Sequence, residues 1–172
     1  MERIYDRRKV AACMAKSRYH EVLAGLDLDF YLIKYEKGEF VNSPFQSELL
    51  FQIVEQGAVN IYFIRDDGTR YSLSNGKADY LLGDMDIFYP RSGNIYVEAA
   101  ERLTCISFSI EKNRERLLAD NAFLKLICNS LSAKIGTMAA ILNPELRKEE
   151  IHQPLRCDNL YKCGSSIILE ED

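Results

Sequence analysis

Leu82-Gly83-Asp84-Met85-Asp86-Ile87-Phe88-Tyr89-Pro90-Arg91-Ser92-Gly93-Asn94 is the stretch on which the reading of this chain turns. It sets a Gly-acid pair and a short apolar turn between runs that read as β-strands, and Pro90 and Gly93 close a polar loop behind it. A helix start exposes unpaired backbone N–H groups that attract anions, and the Asp84 carboxylate can accept a bond from a ligand hydroxyl. The same residues also read as a plain helical turn linking two strands, with Met85, Ile87 and Phe88 packed inward. Isolated Gly-acid pairs are common, so residue types alone favour the plainer reading.

Outward from this stretch the chain is β in grammar. Phe30 to Tyr35 is aromatic and β-branched, and Glu36-Lys37-Gly38-Glu39 makes a turn. Leu49 to Val54 is a continuous apolar strand ended by Gln56-Gly57. Val59 to Ile64 alternates as a strand with one buried face does. Asp66-Asp67-Gly68 then separates it from Tyr71-Ser72-Leu73, and an Asp-Gly pair so placed is a strong hairpin signal. Tyr80-Leu81-Leu82, Ile95 to Ala99 and Leu103 to Ile110 supply further strands. Short strands at regular spacing predict an antiparallel sandwich, jelly roll or barrel.

The flanks are helical. Ile4, Tyr5, Val10, Ala11, Met14, Tyr19, Val22 and Leu23 predict one or two short amphipathic helices in the first 25 residues. After Ile110, a charged helix is expected over Glu111 to Asp120, and Asn121 is placed to cap a second one. Leu124, Cys128, Leu131, Ile135, Met138 and Leu142 then recur at alternating spacings of four and three, an a/d seam of the coiled-coil kind. Phe123, Ile127 and Ile141 add a second apolar edge. The expectation is a helix that touches both its own sheet and a second copy of the chain, ended by Asn143-Pro144.

The 172 residues suffice for one domain with an appendage, at 47% hydrophobic and 28% charged residues. A net charge of -4 works against non-specific binding to nucleic acid or anionic membrane. No run is long and apolar enough to span a bilayer, and Met1-Glu2-Arg3 opens no signal peptide. The five cysteines are odd in number and irregularly spaced, which predicts a reduced, cytoplasmic setting. Cys105 and Cys128 fall in apolar runs. Cys157 and Cys163 lie in a polar tail at no usual zinc spacing, and the two histidines, His20 and His152, form no cluster. No metal or cofactor is expected. No nucleophile–base pair and no paired carboxylates suggest catalysis.

The order of these parts resembles the sensor half of the CRP/FNR superfamily of bacterial transcription regulators. Leu50-Phe51-Gln52-Ile53-Val54-Glu55-Gln56-Gly57, the Arg65-Asp66-Asp67-Gly68 hairpin, Leu82-Gly83-Asp84-Met85-Asp86-Ile87-Phe88, Arg116-Leu117-Leu118 and Phe123-Leu124-Lys125-Leu126 carry the resemblance, over roughly residues 25 to 142. It implies a mainly β fold with helical flanks: a double-stranded β-helix (jelly roll), then a long dimerisation helix. The implied organisation is a helical segment (1–25), a cyclic-nucleotide-binding-like β-roll (26–111), a short helix plus the long helix (112–143), and a polar tail (144–172). By the resemblance Gly83 and Asp84 begin the ligand cassette, with Asp in place of the usual Glu, and Met85, Arg91, Ser92 and Asn94 complete the candidate ligand site.

Two departures qualify what the resemblance implies. The Arg that neutralises a cyclic phosphate is expected at about Gly93 or Asn94, followed by a small residue, and this chain has no Arg there and carries Tyr96. A charge-assisted phosphate contact is therefore missing, and high-affinity cyclic AMP binding is not expected; any effector is a different small molecule. The roughly thirty residues after Leu142 are also too few for the helix-turn-helix that the resemblance implies, so the expectation is a shortened regulator or a stand-alone sensor, with DNA a partner only through a further domain. Two rival readings stand beside the dimeric sensor. One is a ligand-free interaction module with a pocket filled by Tyr80, Phe88, Tyr89 and Tyr96; the other is a cupin-like enzyme, which would need clustered His and Glu ligands.

Overall fold

Apolar runs between turn residues become two antiparallel sheets, and the helical flanks cover the outside of one of them. The structure, a computed structural model, describes residues 1–88 and 95–142, with the side chains of 140–142 outside that description. One sheet orders β1 (Glu2–Ile4), β2 (Tyr31–Tyr35), β9 (Leu103–Ser109), β4 (Leu50–Gln56) and β7 (Leu81–Leu82). The other orders β3 (Phe40–Asn42), β8 (Ile95–Ala99), β5 (Val59–Ile64) and β6 (Arg70–Gly76). Residues Met1–Ala139 form one compact unit. The polar tail, with Cys157 and Cys163, lies outside the described residues.

The first sheet is buried on both faces, which is why β4 reads as a continuous apolar run instead of an alternating one. Phe51 and Ile53 on β4, with Leu32, Ile106 and Phe108, face the helices. Val54, Ile33, Tyr35, Leu103 and Cys105 face Val59, Ile61, Val97 and Ala99 of the second sheet. Phe51 stacks on Phe108 at a centroid distance of 4.9 Å. The polar groups in this region serve one another: the Gln52 side chain is buried and donates to the Tyr35 hydroxyl at 2.7 Å and the Ser107 hydroxyl at 3.2 Å. Paired in this way it avoids the desolvation penalty of an orphan amide.

The expected hairpin joins β5 and β6. The Arg65 amide donates to Thr69 O at 3.0 Å, and the Asp67 carboxylate accepts from the Thr69 amide at 2.8 Å. Two edge strands go beyond the sequence expectation. β1 lies within the segment expected to be helical, and β3 follows the turn at Glu36 to Glu39. Each is three residues long and gains its pairing from the neighbouring strand.

Four helices complete the described chain: α1 (Arg7–Met14), α2 (His20–Gly25), α3 (Ile110–Ala119) and α4 (Asn121–Leu142). The cap of α4 is Asp120, not Asn121 as the sequence suggested. Asp120 has the extended backbone of an N-cap, and its carboxylate accepts from the Phe123 amide at 2.7 Å; Asn121 is already helical. One face of α4 buries Phe123, Leu126 and Ile127, and the Phe123 ring meets Phe51 edge-on at 5.4 Å.

Phe123 therefore anchors the first turn of α4 to the sheet. Phe123→Ala is expected to lower unfolding free energy by about 3–5 kcal/mol, the range for emptying a buried aromatic site. Urea unfolding followed by circular dichroism checks this; a loss below about 1 kcal/mol would remove Phe123 as an anchor.

Candidate functional site

Gly83 shapes the site because its backbone is left-handed, at φ 80°. A Cβ there would sit 2.2 Å from the Leu50 carbonyl oxygen, so no other residue fits without moving β4. The residues after it form successive turns, not the expected helical turn: the Asp86 amide donates to Gly83 O at 3.1 Å, and the Phe88 amide to Met85 O at 3.2 Å. The inward packing expected of three apolar residues holds for one. Ile87 is fully buried, while Met85 and Phe88 are 44% and 50% exposed, because the turn aims a single side chain at the core.

Asp84 is 2% exposed. Its two carboxylate oxygens each accept from the Lys134 ammonium at 2.7 Å, and Oδ2 accepts from the Ser130 hydroxyl at 2.6 Å. Oδ1 also takes the Met85 amide at 3.2 Å. Lys134 donates in addition to the Leu81 carbonyl at 2.7 Å and lies 4.7 Å from the Tyr80 ring centroid. Burial pulls the Lys134 pKa below its usual value, and the adjoining Asp84 carboxylate opposes that pull. From α3, the Arg114 guanidinium donates to the Asp86 main-chain oxygen at 2.9 Å and fixes the turn from the other side.

This cluster borders a cavity of about 820 Å³ between the β-roll and α4. Ile61, Leu73, Ile95 and Val97 line it from the second sheet, Leu81 to Asp86 from the turn, and Leu126, Asn129, Ser130, Ala133, Lys134 and Met138 from α4. Of the residues singled out in the sequence, Gly83, Asp84 and Met85 come together here; Arg91, Ser92 and Asn94 lie outside the described residues. Tyr80 lines the cavity, whereas Tyr96 stacks on Tyr62 at 5.7 Å. Sequence reasoning missed Ser130 and Lys134. Lys134 lies seven residues after Ile127 and eleven after Phe123, on the second apolar edge of α4, and a lone cation on such an edge was a readable signal.

The a/d seam lies on the adjoining face of the helix, with Leu131 packed against the core and Met138 at the edge of the cavity. Leu124 and Leu131 are half-buried, Cys128 is exposed, and Ile135 and Met138 are 68% and 40% exposed; the Leu142 side chain lies outside the described residues.

Solved structures share this architecture. The chain matches a mutant of CooA from Carboxydothermus hydrogenoformans at a TM-score of 0.56 and 16% identity, over 80% of this chain and 89% of that one. It matches a crp/fnr-family transcriptional regulator from Eubacterium rectale at 0.61 and 11% identity, over 76% and 60%. The fold is that of CRP/FNR-type regulators. A third match is CLP, the c-di-GMP-responsive global regulator of Xanthomonas campestris, at 0.59 and 16% identity, over 70% and 61%. The chain thus spans about three fifths of the length of the latter two regulators. No protein-family model and no curated protein matches the sequence. Among the described residues no three His, Cys, Asp or Glu side chains gather as metal ligands, and no described helix is long and apolar enough to cross a membrane.

In this CRP/FNR-type fold Asp84→Ala strands a buried ammonium. The expected cost is about 3–5 kcal/mol, and Asp84→Asn combined with Lys134→Met is expected to recover most of it. Urea midpoints of the three proteins check the pair. Equal midpoints for wild type and Asp84→Ala would show that Lys134 finds water instead.

Proposed function

We propose that this chain is the effector-sensing regulatory domain of a CRP/FNR-type transcription regulator, a cytoplasmic protein that works as a homodimer through α4. The observation that carries the reading is the division of labour on that helix. One face closes the cavity through Leu126, Ser130 and Lys134, and the adjoining a/d face leaves Ile135 uncovered, with Met138 at the boundary both lining the cavity and part exposed. Occupancy of the cavity is thereby felt on the element that meets a partner copy. CLP responds to c-di-GMP, which supports effector sensing on this fold. DNA is a partner only where the full protein carries a further, DNA-binding domain.

Cyclic AMP does not fit as the effector. Gly93 and Asn94 stand where the phosphate-binding Arg is expected, and the buried cation that the cavity does have, Lys134, is paired with Asp84. One observation favours a second reading, an interaction module that binds no ligand: the Asp84 carboxylate is already served by Lys134, Ser130 and the Met85 amide.

Sedimentation velocity tests the dimer. The wild-type chain is expected to sediment as a dimer at micromolar concentration, and Ile135→Glu to weaken association at least about tenfold while leaving monomer stability within about 0.5 kcal/mol. A wild-type monomer under these conditions would remove the seam from the function. Thermal-shift titration tests sensing: cyclic AMP is expected to leave the melting temperature unchanged, and a genuine effector to raise it saturably.

A further inference from the structure

The charged pair that borders the cavity is satisfied by the protein itself. Asp84 holds Lys134 on both oxygens, with Ser130 and the Met85 amide beside it. The three N–H groups of Lys134 are matched by those two oxygens and the Leu81 carbonyl. Among the described residues no buried side-chain nitrogen or oxygen lacks a partner. Among the described residues the other cation lining the cavity, Arg18, is exposed and lies over the Tyr19 ring at 4.6 Å, where water screens its field. What the cavity offers a newcomer is hydrocarbon from Ile61, Leu73, Ile95 and Val97, with neutral amides such as Asn42 and Asn129 beside it.

We propose that the cavity takes an uncharged small molecule with an apolar body, and that this ligand binds with the Asp84–Lys134 pair left intact as part of the wall. The proposal rests on the sensor reading and names its ligand class. An anionic ligand could reach Lys134 only by displacing Asp84, which would leave a buried carboxylate without its cation. A cationic ligand could reach Asp84 only by expelling Lys134, with the same penalty reversed; of the other acids in the lining, Glu48 is already paired with Arg3 and Asp79 already accepts from the Ser17 hydroxyl and the Arg18 amide. A neutral molecule incurs neither cost and gains from the apolar surface it buries. At about 820 Å³ the space is of the size that holds a small molecule.

Competitors that share one apolar chain and differ only in head charge separate these cases. Nile red, a neutral dye, is bound to the full chain and displaced by 1-octanol, octanoate or octylammonium. The expected result is half-displacement by 1-octanol at a concentration at least about tenfold below that of either ion, with dye binding lost in the cavity-filling variant Leu73→Trp. Because that variant can disturb folding, methyl NMR on the wild-type chain supplies a second readout: 1-octanol should shift the methyls of Ile61, Ile95 and Val97. Octanoate as the better competitor, with its advantage lost in Lys134→Met, would overturn the ligand class yet leave the cavity a sensor site. Octylammonium as the better competitor, with its advantage lost in Asp84→Asn, would do the same. Dye that stays bound in a folded Leu73→Trp protein, with no cavity methyl moving, would overturn both this proposal and the sensing role of the cavity.

Discussion

A carboxylate as buried as Asp84 must be given a cation or be neutralised, because an ionised group stripped of water and left unpaired is too costly to keep. Here the cation comes from α4. That single requirement fixes how the long helix lies: Lys134 must reach the turn after β7, so the face of α4 that carries it is turned toward the roll. Positions 123, 127, 130 and 134 fall on that face by helical spacing, and it is the face along which Phe123, Ile127 and Ser130 are also used. The a/d positions, displaced by one residue and so by about 100° around the axis, are left for another surface. The exposure of Ile135 accompanies the burial of Asp84.

Two attachments of different physical kind hold the helix. Phe123 is packed among Phe51 and Phe108, a contact that gains from excluding water and has little directionality. Lys134, eleven residues on and so about 16 Å along the axis, is held by short charge-assisted bonds that tolerate little displacement. The cavity faces the segment between them, where Leu126, Asn129 and Ser130 line it. The ionic anchor meets the Gly83 turn, which Gly83 itself holds against β4 with no room to yield.

How much of this was legible follows the range of each interaction. The Asp-Gly hairpin, the doubly buried strand β4 and the seam of α4 are written in residues a few positions apart, and local periodicity captures them. Three residues are too few to show a period, so β1 and β3 were invisible until a neighbouring strand supplied their pairing. The cap at Asp120 was missed by one position because Asp and Asn both suit the role, and only the backbone angles of Asp120 decide it. Gly83 and Asp84 were found as a pair of interest, but the use made of Asp84 was not. Its partners stand 46 and 50 residues away, and no local pattern predicts which cation a fold brings to which acid.

Asp84, Lys134 and Ser130 form one electrostatic solution. Without a partner the buried Asp84 carboxylate would face the cavity as a bare charge. Lys134 supplies the counter-charge from within the chain, and Ser130 adds a hydroxyl donor. The cassette is thus electrically complete before any ligand arrives. The charged pair serves to tie α4 to the turn after β7, and the wall left between them is lined by Ile61, Leu73, Ile95 and Val97.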